Sequence, residues 1–212
     1  MLKVSNELYE YWLKLKGDDR AAPERNEVEP GAIRGILADT FILDIDQADG
    51  SQFRISGSRA NALFLRELRG ASFLQVWRFP DREPVKAVLQ RAADHARPYV
   101  LQGEARPPGM AGAAMELVLL PLRHRGSCSR MLGAIAVDTP PHWLGLVAAG
   151  EIALLSGSPI DPGPQRQSTN FPAGASPVSL SLVRAKRFAA AADRRGRLRA
   201  DQLGNTALIP GH

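Results

Sequence analysis

The stretch AAMELVLLPLRHRGSCSRMLGAIAV (113–137) decides the fold. Residues 113–125 form a long apolar strand pattern, GSCS (126–129) carries turn chemistry, and MLGAIAV (131–137) is a second strand. Two strands joined by so short a turn pair antiparallel. Met115, Leu117 and Leu119 fall on one face, with Ile135 and Val137. Glu116, Val118, Leu120 and Leu122 fall on the other, with Ala134 and Ala136. That second face is too apolar for water, so something must cover it.

Upstream, PYVLQGEAR (98–106) reads as a third strand of this sheet. DREPVKAVLQRAADHAR (81–97) is the clearest helix: Asp81 fits as its N-cap, and Val85, Val88, Leu89 and Ala92 share a face. TFILDID (40–46) and QFRISGS (52–58), separated by DQADGS, read as an antiparallel hairpin. Short helices fit 30–37, 59–68 and 72–78. Residues 5–16, SNELYEYWLKLK, form an amphipathic helix capped by Ser5 or Asn6. The order, two strands, several short helices and three strands, excludes a parallel α/β alternation and predicts an α+β fold with an antiparallel sheet.

Downstream, residues 144–155 are apolar enough for one more helix. From 156 the chain is dense in Gly, Pro and Ser. The expected organisation is therefore a domain over 1–155, then a disordered linker and basic tail over 156–212. Charge supports the division. Of 27 Lys and Arg and 22 Asp and Glu, 8 and 3 lie in residues 156–212, leaving 19 of each before it. The main domain carries no net charge and is not read as a nucleic-acid binder; the tail keeps a nucleic-acid-associated regulator as the alternative. One cysteine, Cys128, excludes an internal disulfide framework and a Cys-based zinc site, and fits a cytoplasmic protein. No apolar run is long enough for a membrane span, and the N-terminus is not patterned as a signal peptide.

These residues carry a resemblance. LYEYW (8–12), Pro23, VEPGAIRGILADTFILD (28–44), FRISGSR (53–59), LFLRELRGASF (63–73), Trp77, ELVLLPL (116–122) and MLGAIA (131–136) resemble the bacterial single-domain PAS proteins found mainly in alphaproteobacteria, the fifth PAS family. The resemblance implies a five-stranded antiparallel sheet of spatial order 2-1-5-4-3, helices on one face, and a sensory or regulatory role without catalysis. The pattern departs at Leu65, where the family more often has Gly. Leu takes a positive φ only at a cost, so the crossover backbone is where the departure falls.

Nothing in the chain assembles a catalytic site. His95, His124 and His142 share no metal-ligand spacing, and His95 suits the end of its helix, where a cation complements the dipole. Cys128 reads as an exposed turn thiol, with Arg125 and Arg130 near enough to lower its pKa. Asp44 and Asp46 read as solvated strand-end carboxylates. Nucleophile-elbow and phosphate-loop motifs are absent. No cofactor and no metal are expected.

Two candidate surfaces remain. Phe41, Leu43, Phe53, Ile55, Leu63, Met115, Leu117, Leu119 and Ile135 are the candidate lining of a pocket for a small apolar ligand. Gly57, Ala113, Gly133, Ala134 and Ala136 leave room beside them, unless a large neighbour fills it. Leu8, Tyr11, Trp12 and Leu15 form an apolar stripe that would meet Val118 and Leu120, with Leu122, of the sheet. A homodimer built on that contact is expected, with the helix folded back on its own sheet as the alternative. An unidentified signalling protein is the further partner.

Overall fold

The computed structural model describes residues 1–45 and 51–161, all in the first of two compact units into which the chain divides, Met1–Phe171. Strands β1 (Thr40–Asp44), β2 (Gln52–Ser56), β3 (Tyr99–Ala105), β4 (Ala113–His124), β5 (Ser127–Val137) and β6 (Ile152–Pro159) form one sheet of order β2-β1-β5-β4-β3-β6. Every pair is antiparallel. Helices α1 (Lys3–Lys16), α2 (Ser58–Phe64) and α3 (Arg82–Asp94) join them through short 3-10 turns.

The central pair runs from Met115 opposite Val137 to His124 opposite Ser127. Its turn is tighter than the sequence suggests. Arg125 and Gly126 both take positive φ, 53° and 87°, as a two-residue hairpin requires. Residues 127–129, read as turn, therefore belong to β5, as does Arg130, and Cys128 lies on a strand.

The five strands expected from sequence are present in the expected order, and a sixth lies beside β3. Residues 152–155 are strand where a helix was expected, and 156–159, placed in the linker, continue it. The signal is non-local: β3 has an open edge, and β6 fills it from Ala105 opposite Ile152 to Tyr99 opposite Pro159. Gly103 permits the approach, because a Cβ there would lie 2.6 Å from Ile152 Cγ2. The rest of the expected linker and the basic tail, from residue 162, lie outside the described residues, as does Asp46.

Alternation along β4 and β5 separates two cores. α3 packs Val85, Val88, Leu89 and Ala92 on the inner side. Its expected N-cap, Asp81, makes no cap bond; its carboxylate accepts from the Leu154 N–H of β6 at 3.0 Å. On the outer face α1 buries Leu8, Tyr9 and Trp12 against Ile42, Val118, Leu120, Leu122, Leu132 and Ala134. α1 also starts earlier than its expected cap. Leu2 is the N-cap position, and Ser5 turns inward, fully buried.

Leu65 ends α2 in the left-handed conformation, φ 50° and ψ 34°. The chain thus keeps the backbone that suits Gly while carrying a Cβ. Its side chain is half-exposed and contributes little packing. Leu65→Gly is expected to stabilise the fold by about 1 kcal/mol, a Tm rise of about 3 °C by calorimetry. Leu65→Ala, which keeps the Cβ, should show no such gain.

Candidate functional site

On the inner face the candidate pocket residues divide. Phe41, Leu43, Met115, Leu117 and Leu119 are buried in a packed core. The room beside Gly133 is taken by Phe41: a Cβ at 133 would lie 2.2 Å from the ring's Cζ. Phe41 packs against both Phe53 (ring centroids 5.5 Å apart) and Phe73 (5.8 Å), and Trp77 lies 6.0 Å beyond Phe73. The small residue at 133 therefore marks a close-packed ring and not a void. Phe73 and Trp77 complete this filling from the crossover, a contribution that strand patterning does not reveal.

Ile55 leaves the set altogether. The register shifts between Ile42 and Leu43, so that Leu43 faces Phe53 while Ile42 faces Ile55. Arg54 is the extra residue. It turns Ile55 away from the inner face, where it is 48% exposed.

Leu63 and Ile135 do line a cavity. It is a groove of about 610 Å³ where the first turn of α1, helix α2, the end of β5 and the loop after it converge. Leu2 and Val4 form one wall, Ala60, Ala62 and Leu63 another, and Ile135, Ala136 and Val137 the floor, with Pro140 and Leu144 closing the far side. Lys3, Asp39, Arg59 and Asp138 are the charged residues on it. Asp39 is held by Arg59, whose Nε donates to Oδ1 at 2.6 Å and whose Nη2 donates to Oδ2. Those bonds hold the Arg59 guanidinium above its usual range. Neither Asp39 nor Arg59 stands out in the sequence, because their pairing joins β1's entry turn to α2.

On the outer face the candidate dimer residues meet partners in their own chain. Leu8, Trp12, Val118 and Leu120 are buried together. Trp12 donates its indole N–H to the Pro121 carbonyl at 2.8 Å. The Tyr11 hydroxyl accepts from the Glu29 N–H at 2.8 Å, and Leu15 is half-buried at the edge. The contact proposed between copies is thus made within one chain, since a helix of this length reaches across its own sheet.

Both ends of α1 are fixed. At its start Glu116, 3% exposed, accepts from the Leu2 N–H at 2.6 Å and from Gln102 Nε2 at 2.7 Å. A buried carboxylate at the positive end of the helix dipole is favourably placed. At its end Arg20 donates to the Leu15 and Lys16 carbonyls and pairs with both oxygens of Glu27 at 2.8 Å. That pairing lowers the Glu27 pKa. The sequence marks Glu116 only as a lone acid on an apolar face.

Cys128 is half-buried on β5, and burial pushes its thiol pKa up. Arg123 is the cation that opposes the rise, in place of Arg125 and Arg130, and Glu24 adds to it. The site does not favour the thiolate. Among the described residues no three of His, Cys, Asp and Glu come together, and no helix is long and apolar enough to cross a membrane.

An antiparallel sheet whose two halves are joined by a helical crossover, with a helix on each face, defines the fold as an α+β module. A PAS domain family model matches residues 2–136, and the chain belongs to that family. Its members are in general sensory and regulatory modules. Among solved structures the chain is similar to an RNA-binding light-oxygen-voltage receptor, with 21% identity and a TM-score of 0.35. The match covers 73% of this chain and 35% of that one, so this chain spans about a third of the receptor's length. No curated protein matches.

Proposed function

We propose that this chain is a non-catalytic cytoplasmic sensory module that binds a small apolar molecule and acts by associating with another protein chain. The observation that carries it is the groove, whose walls belong both to α1 and to the sheet and crossover. An occupant there touches the element that covers the apolar outer face. Lifting α1 uncovers Val118, Leu120 and Leu122, a surface a second copy or a signalling protein can bury. Cytoplasmic placement fits the single cysteine.

Native mass spectrometry of the purified full chain tests this. The expected result is a retained small molecule, absent from Ala62→Phe, which fills the groove mouth from an exposed position. Stripping the molecule is expected to change the oligomeric state. A chain that retains nothing, or one that associates identically before and after stripping, overturns the proposal.

A second reading rests on the charge asymmetry, with 8 basic and 3 acidic residues after 155. It takes the tail as a nucleic-acid contact. Salt-dependent binding lost on removing residues 162–212 would favour it, a cut that spares β6.

A further inference from the structure

We propose that the groove beside α1 takes a neutral, mainly apolar molecule bearing one carbonyl oxygen, a ketone, ester or amide, and that Arg59 is the donor that recognises it. This rests on the reading of the chain as a ligand-binding module and names the class of ligand. The walls are aliphatic, so most of the ligand's surface is apolar. The charges on them are two of each sign: Lys3 and Arg59 against Asp39 and Asp138. The formal charges cancel, so the groove offers no net attraction to an ion, and the balance favours a neutral molecule.

Hydrogen-bonding capacity is less even. Asp39 engages two of the five N–H groups of Arg59; the other three bond to no described residue and, on a side chain 60% exposed, are open to an incoming group. Lys3 and Val4, in the first turn of α1, line the same groove. Arg59 cannot turn away, because its bidentate bond to Asp39 fixes the plane of the guanidinium. Donors are thus held in place on a groove lined mainly by aliphatic side chains, and an acceptor oxygen of a ligand can take the place of water on them.

The test uses three fluorescent probes on the full chain. Propionyl-dimethylaminonaphthalene is a neutral naphthyl ketone, phenylnaphthylamine is neutral without a carbonyl, and anilinonaphthalene sulfonate is an anion. The ketone is expected to bind once per chain with blue-shifted emission, and the sulfonate about tenfold more weakly or worse. Arg59→Lys keeps the charge pair but loses donors; it should weaken the ketone about fivefold and leave phenylnaphthylamine unchanged. Ala62→Phe should abolish binding of both neutral probes. If Ala62→Phe fails to fold by circular dichroism, Leu144→Trp fills the groove from the opposite wall. Sulfonate binding as tight as that of the ketone overturns the proposal, and so does an equal effect of Arg59→Lys on both neutral probes. If the ketone does not bind while Ala62→Phe still removes a naturally retained molecule, the ligand class is wrong and the functional reading stands. If groove filling changes neither probe binding nor the retained mass, both fail.

Discussion

Trp12→Ala is expected to destabilise the fold by about 4 kcal/mol, a large part of the total stability of a domain this size. The side chain is 1% exposed and stacks near Tyr9, with ring centroids 6.3 Å apart. Its removal leaves a cavity between α1 and the sheet and deprives the Pro121 carbonyl of its donor. Urea unfolding followed by circular dichroism measures the loss. Sedimentation of the same variant separates two roles for Trp12. As an anchor between copies, its truncation would lower association. As the bolt of a cover within one chain, its truncation loosens α1, bares Val118, Leu120 and Leu122, and raises association. The second outcome is expected. A variant as stable as the wild type would show that α1 is not held this way.

Gly133→Ala is expected to cost about 3 kcal/mol. Its Cβ would stand 2.2 Å from Phe41 Cζ and 2.7 Å from the Val118 carbonyl oxygen. The ring cannot withdraw, because Phe53 and Phe73 pack against it. Phe41→Leu in the same chain should recover part of the loss. A double-mutant cycle then gives a coupling energy, and strictly additive effects would mean that the ring is free to move aside.

Much of this architecture was legible, and the reason differs by element. β4 and β5 carry both cores on alternate residues, so their patterning reveals two buried faces and the need for a cover. α1 shows its apolar stripe but not which sheet it covers: a stripe of that width fits its own chain or a second copy equally. β6 was hidden because Ile152–Leu154 do not alternate and Ser156–Pro159 resemble linker in composition; only the open edge of β3 selects them. Of the candidate pocket, Leu63 and Ile135 line the groove, while its other walls come from α1, α2 and the loop after β5. Sequence places none of these beside one another. Periodicity says which way a side chain faces, and not what stands opposite it.

The extra residue in β2 bears on how this chain tolerates changes of length. Deleting Arg54 would leave Phe53 opposite Leu43 and Ile55 opposite Ile42, the partners they have already. The Arg54–Asp44 pair that would vanish is solvent-exposed, and pairs of that kind contribute little. A deletion elsewhere in β2 would slide one residue past its partner and turn buried side chains outward. Position 54 is thus the place in this strand where the gene can gain or lose a codon without rewriting the sheet. A comparison of chains of this family should find their length differences in β2 gathered there.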